Sequence, residues 1–354
     1  MMTGIRPVIF AVGALALAGL SRTQAAALSF LIGDEGNGKI HRVTPGKPAQ
    51  SWSIPLAGNR DLQLIGGNRF LANSENGFAE YDLTTGAQLK KTAYTGIGSI
   101  QSLRRLQDGR TLVGANTATG VVFAFLNAAG AEQKRVSYAI AGPVYRMMRY
   151  TDAGHFLFGS GDRVIELDST GKEMRNIRIP PSGALRFTAY KVVSKGNGVL
   201  WATTGYAKSL VEISSAGAVK NIVADSTDMS YFYNDFQIMP DGHFFATDWW
   251  GHGPGNGGKG PMLREFDAKG KEIWKWQDSV LVSSAHAVIV LDGLDLERPH
   301  DDFTGIQTPV SPNRLREPMR AGRNASSGFR AFPALPRDWL GRAPIFAGSN
   351  MLLR

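Results

Sequence analysis

Hydrophobic and polar positions along this chain follow a rule that repeats. A bulky apolar run ends at a tight Gly, Asn or Asp turn and a second apolar run follows. Then comes a run in which apolar and polar residues alternate, closed by another Gly turn. The first turn of the unit stands at Gly67-Asn68, Asp108-Gly109, Ala153-Gly154, Asn197-Gly198, Asp241-Gly242 and Asp292-Gly293, which are 41, 45, 44, 44 and 51 residues apart. A period of this length, with several short strands per unit, predicts a β-propeller. The longer last interval is taken up by a Gly-rich insertion, residues 251–260.

The runs themselves fix the strand register. Residues 69–73, 110–114, 155–159, 199–203 and 243–247 are bulky second strands of the kind buried on both faces of a blade. Residues 77–82, 120–125, 163–168, 209–213 and 262–267 alternate with period two, as third strands with one drier face do. At the start of the chain, residues 30–33 and 39–43 match a second and third strand with no first strand before them. The missing first strand stands at the other end, in residues 285–291. The sequence therefore predicts an all-β fold: a six-bladed propeller of four-stranded antiparallel blades, closed by a C-terminal strand joining the N-terminal blade, which leaves no free sheet edge.

Three segments follow from composition. Residues 1–27 carry Arg6, an apolar run from Pro7 to Leu20 and three alanines at 25–27, the pattern of a signal peptide; residues 28–295 are the propeller. Residues 296–354 are expected to be a disordered, Arg-rich C-terminal extension. The formal net charge of +9 divides unevenly: +2 in residues 1–27, +6 in residues 311–354 and only +1 between them. So balanced a body gives no basic groove, and nucleic acid is not an expected partner. The chain has no cysteine, which excludes disulfides, thiol nucleophiles and thiolate metal sites. A periplasmic or secreted monomer, without a transmembrane anchor once the signal is cleaved, is the expectation.

Candidate chemistry gathers where the first strands begin. Counting back six or seven residues from each turn gives Asp61, Gln101, Arg146, Lys191, Asp235 and His286, all polar on otherwise apolar strands. Polar groups repeated at one depth of a narrow channel must pair with one another, with water or with a ligand. Aromatic and polar residues accompany them: Tyr145, Arg186, Phe187, Tyr190, Tyr206, Asn234, Asp248, Trp249 and His252. Aromatic walls beside a few convergent polar groups suit a small molecule. Asp61, Asn234 and Asp235 offer oxygens to calcium, but Arg146 and Lys191 oppose a divalent cation, so no metal or cofactor is expected. Ser283 and Ser284 adjoin His286, yet neighbours on a strand point to opposite faces and no nucleophile elbow is present. His41, His155 and His243 read as solvated surface residues.

Residues 236–246 and 263–276 carry a resemblance to exported bacterial propellers of the arylsulfotransferase and quinoprotein-like superfamily, spanning roughly residues 29–295. Quinoproteins would show repeated Asp-x-x-Thr-Gly-x-x-x-Trp elements; here residues 82–90 match in part, and Trp274 is the one tryptophan so placed. The arylsulfotransferase likeness implies a channel histidine as transient acceptor, roles that His286, His252 and Arg146 could fill. Two expectations result. The first is a binding propeller that takes a small-molecule or protein ligand at the channel mouth. The alternative is a transferase or hydrolase acting on an anionic aromatic substrate, with Arg146 and Lys191 stabilising negative charge and His286 protonation tuning the site near neutral pH.

Overall fold

Alternating runs and glycine turns resolve into six four-stranded antiparallel sheets in the computed structural model, which describes residues 28–142, 145–180, 188–223 and 233–310. Each blade begins with an inner strand. These are Leu62–Gly66, Ile100–Arg105, Met148–Tyr150, Val192–Gly196, Tyr233–Ile238 and Ala285–Val290. The last pairs antiparallel with Phe30–Asp34, Phe30 opposite Val290 and Ile32 opposite Val288, so the C-terminal strand closes the N-terminal blade as the unpaired first repeat requires. Two of the inner hairpins turn through consecutive positive φ values, Gly67 and Asn68 in one and Asn197 and Gly198 in the other. Only Gly and Asn adopt that geometry cheaply, which is why the repeat is punctuated by them.

The apolar core lies between neighbouring blades. Phe70 stacks between Trp52 and Tyr81, at ring-centroid distances of 5.7 and 5.1 Å. Between the next blades Phe123 meets Phe156 at 4.6 Å and Phe158 at 5.3 Å. The centre of the ring is left to polar side chains.

The propeller does not end at residue 295. Residues 296–310, which the sequence places in the extension, are packed on the ring, and one compact unit runs to Ser311. This strap crosses from blade to blade. His300 N donates to Leu64 O at 2.9 Å, Ser194 N to Phe303 O at 2.7 Å, Ile238 N to Gly305 O at 2.7 Å and Val310 N to Gly293 O at 2.8 Å. Its partners come from the inner strands of several blades, so no local periodicity marks it. Residues 1–27, expected from the sequence to be a signal peptide, and residues 311–354 lie outside the described residues.

Candidate functional site

Two polar layers occupy the channel. The deeper one is a closed ion network. Arg104 lies 3.0 Å from Asp61 and 3.1 Å from Asp302; Arg149 lies 2.9 Å from Asp302 and 3.4 Å from Asp61. Lys191 joins Asp235 at 2.8 Å and Asp302 at 3.1 Å. Three cations thus meet three carboxylates, all buried. Burial alone would raise the Asp302 carboxyl, but Arg104, Arg149 and Lys191 together pull it far below the usual range. Asp61 goes the other way, because burial outweighs its two arginines. The strap supplies Asp302, so the layer is complete only when residues 296–310 are docked.

This arrangement corrects several expectations. Asp61, Lys191 and Asp235 serve the network rather than the mouth, and Lys191 is not available to attract a ligand there. Tyr145 is fully buried between blades, bonded to Ser102 and packed on Phe123 and Phe158. Asp248 is fully buried and held by Arg264 at 3.1 Å. His41 is no surface residue: it is 1% exposed, 2.6 Å from Ser53 Oγ and 3.4 Å from Asp34. His155 and His243 are half-buried beside Glu166 and Glu265. Ser283 and Ser284 donate their backbone N–H groups to Asp34, both at 3.0 Å, apart from His286. Arg186 and Phe187 lie outside the described residues.

Above the network opens a cavity of about 670 Å³. Arg146, Tyr190, Tyr206, Asn234, Trp249, His252 and His286 line it, as do Glu35 and Arg60, which the sequence reading passed over. The Arg146 guanidinium lies 5.9 Å from the Tyr190 ring, and its Nη1 approaches Gln101 Oε1 at 3.4 Å. Tyr190 stands 6.0 Å from the His286 ring, Trp249 4.7 Å from His252, and Tyr206 6.5 Å from Trp249. Glu35 ties the rim together, accepting from Trp249 Nε1 at 2.7 Å, lying 2.8 Å from His252 Nδ1 and receiving Arg60 Nη2 at 3.4 Å. At the outer edge Arg178 is held by Asp162 at 2.5 Å. The lining carries Arg60, Arg146, Arg163 and Arg178 against Glu35 and Asp162, a cationic excess.

Backbone irregularity marks the start of three inner strands. In the closing blade Gly33 pairs with Ala287 and Asp34 with Ala285, which leaves His286 as the extra residue of a β-bulge. Ile100 pairs with Ala115 and Ser102 with Gly114, so Gln101 is bulged in the same way. The strand carrying Asn234 and Asp235 shifts register there too. A bulge re-aims a side chain that strict alternation would send elsewhere. Here three bulges recur at the start of inner strands, and neighbours such as Asn234 and Asp235 divide between cavity and network.

His286 is 2% exposed. Its burial, then the charges of Arg60 and Arg146, hold the imidazole well below its ordinary value of 6.5. Burial raises the Tyr190 phenol despite Arg146. Both groups therefore present neutral, polar edges between fixed cations.

No family model and no curated protein matches the sequence. Solved structures match in fold. A protein of unknown function from Bacteroides caccae superposes with a TM-score of 0.61 at 19% identity, over 74% of this chain and 98% of that one. A nidogen/laminin complex gives 0.52 at 12%, over 73% and 97%. A catalytically inactive histidine-to-alanine variant of virginiamycin B lyase from Staphylococcus aureus, with quinupristin, gives 0.50 at 8%, over 74% and 88%. Identities this low establish the propeller fold and nothing finer. None of these three is described as an arylsulfotransferase or a quinoprotein, so that resemblance holds at the level of the propeller alone.

Proposed function

We propose that this protein is a binding propeller of the exported compartment that holds a small anionic ligand with an aromatic portion at the channel mouth. The observation that carries the reading is the joint placement of Arg60, Arg146 and His286 in a cavity walled by Tyr190, Tyr206 and Trp249. Guanidiniums attract and orient an oxyanion, and aromatic walls take up an apolar body without large loss of side-chain freedom. The ion network beneath closes the channel, so the ligand enters and leaves by the same face. Among propellers of similar fold, one has its structure with quinupristin and another in a nidogen/laminin complex, so fold does not choose the ligand. The lining chemistry does. Export rests on the leader-like residues 1–27.

The test is calorimetric titration with phenylacetate and related aromatic acids. Arg146→Ala is expected to weaken binding by about 1.5–3 kcal/mol, the range for a hydrogen bond to a charged group. Affinity that is unchanged in that variant, or no measurable binding of any aromatic acid to the wild-type chain, would overturn the reading.

A further inference from the structure

One histidine of the cavity wall is fixed on every side except the one that faces solvent. His252 stands on the loop that follows the strand Phe244–Asp248. Asn256 Nδ2 pins that loop, donating to the carbonyls of Gly251, His252 and Gly253 at 3.1, 3.2 and 2.8 Å. Trp249 meets the imidazole edge-on at 4.7 Å and 74°. Glu35 Oε1 lies 2.8 Å from Nδ1. A carboxylate only accepts, so Nδ1 carries the hydrogen and the neutral ring has its lone pair on Nε2. Nε2 has no partner among the described residues, and the side chain is 71% exposed. Glu35 is itself held, its other oxygen accepting from Trp249 Nε1 at 2.7 Å. An open ring nitrogen whose imidazole is oriented by a fixed carboxylate is the arrangement of a general base. A cation stands beside it, because Arg60 Nη2 approaches the same Oε1 at 3.4 Å. Asn73 Oδ1 in turn positions Arg60 by accepting its backbone N–H at 3.0 Å.

We propose that this site hydrolyses aryl esters that bear a carboxylate, with His252 Nε2 as general base and Arg60 stabilising the oxyanion. The inference rests on the mouth-binding reading above, which supplies Arg146 for the carboxylate and the aromatic walls for the ring, and it adds a reaction to that reading. Nε2 takes a proton from a water molecule while the water oxygen forms a bond to the ester carbonyl carbon. Negative charge develops on the carbonyl oxygen, where a neighbouring guanidinium is most effective. Collapse breaks the bond between that carbon and the aryl oxygen, and the departing phenolate receives the proton that His252 took. Water is the one co-reactant, and the histidine ends as it began. An aryl ester is favoured over an amide because a phenolate departs without the prior protonation that an amine needs. Glu35 touches no reacting atom and is a positioning residue, which sets the tautomer of His252.

Release of 4-hydroxybenzoate from 4-acetoxybenzoate by the full chain tests this. The wild type is expected to exceed His252→Gln in kcat by about 100-fold or more, the low end for general-base catalysis, with KM little changed. His252→Ala should regain part of the lost rate when imidazole is added to the solution, which a merely structural histidine would not allow. Glu35→Gln keeps an acceptor for Trp249 but no carboxylate at Nδ1, and should lower kcat by about tenfold or more at unchanged KM. Because His252 is exposed, its variants are expected to fold as the wild type does, which circular dichroism checks. A wild-type rate no higher than that of His252→Gln, or no higher than that of free imidazole at the same concentration, overturns the inference. If 4-hydroxybenzoate binds and Arg146→Ala weakens it while the ester turns over no faster than that, the mouth-binding reading stands without the reaction. If the acid does not bind and the ester is not hydrolysed, both fail.

Discussion

Two guanidiniums and a closed protein wall surround the His286 imidazole, and together they prevent it from acting as a pH switch. The expectation that its protonation tunes the site near neutral pH is therefore reversed. Because the folded ring titrates well below 6.5, affinity for an aromatic acid should be flat from pH 6.5 upward, which titrations at a series of pH values will check. Stability carries the opposite signature. A histidine whose folded value lies below its unfolded value contributes fully above 6.5 and loses that contribution as pH falls toward the folded value. Wild type should accordingly lose stability relative to His286→Phe between about pH 6.5 and 5, measured by denaturant unfolding. A widening advantage for the wild type across that interval would show that the ring charges in the folded state.

At the scale of elements, bulges and the strap divide the labour of the channel. A bulge carries His286 at the mouth, while the strap delivers Asp302 to the network below. Removing Asp302 leaves Arg104, Arg149 and Lys191 with only Asp61 and Asp235, in a region closed to water. Asp302→Ala is expected to cost about 3–5 kcal/mol, the range for breaking a buried ion pair, read from urea unfolding. A cost under about 1 kcal/mol would mean that the network relaxes without its third carboxylate. Since the three cations depress Asp302, its contribution is present above the usual carboxylate value of 3.8 and is lost as pH falls below it toward the folded value. Arg149→Met tests the same layer from the cationic side and should leave Asp302 underpaired, lowering stability in the same way.

For the whole molecule, closure comes from both ends of the ring. The strand Ala285–Val290 completes the first blade, and the strap then spans the channel. Deleting residues 285–291 should expose the edge of Phe30–Asp34 and yield aggregate rather than monomer in size-exclusion chromatography. Ending the chain after Asp295 removes Asp302 and the buried His300 and Gln307, and should lower the melting temperature by several degrees. Ending it after Val310 should change the melting temperature little, since residues 311–354 show no strand alternation. Comparing the two truncations locates the functional end of the propeller.

Strand order, turn positions and ring closure were readable from the chain because they depend on near neighbours: period-two alternation, positive φ at Asn68 and Asn197, and a first strand displaced to the other end. The polar character of the inner-strand starts was readable too. Tertiary structure alone decided where those side chains go. Asp61, Lys191 and Asp235 look equivalent to His286 when counted from their turns, yet they join the ion network while His286 lines the cavity. Arg60 and Glu35 meet across 25 residues, and Asp302 meets Arg104 across 198. Those encounters are set by closure of the ring, which brings distant inner strands to one axis, and no local pattern records them.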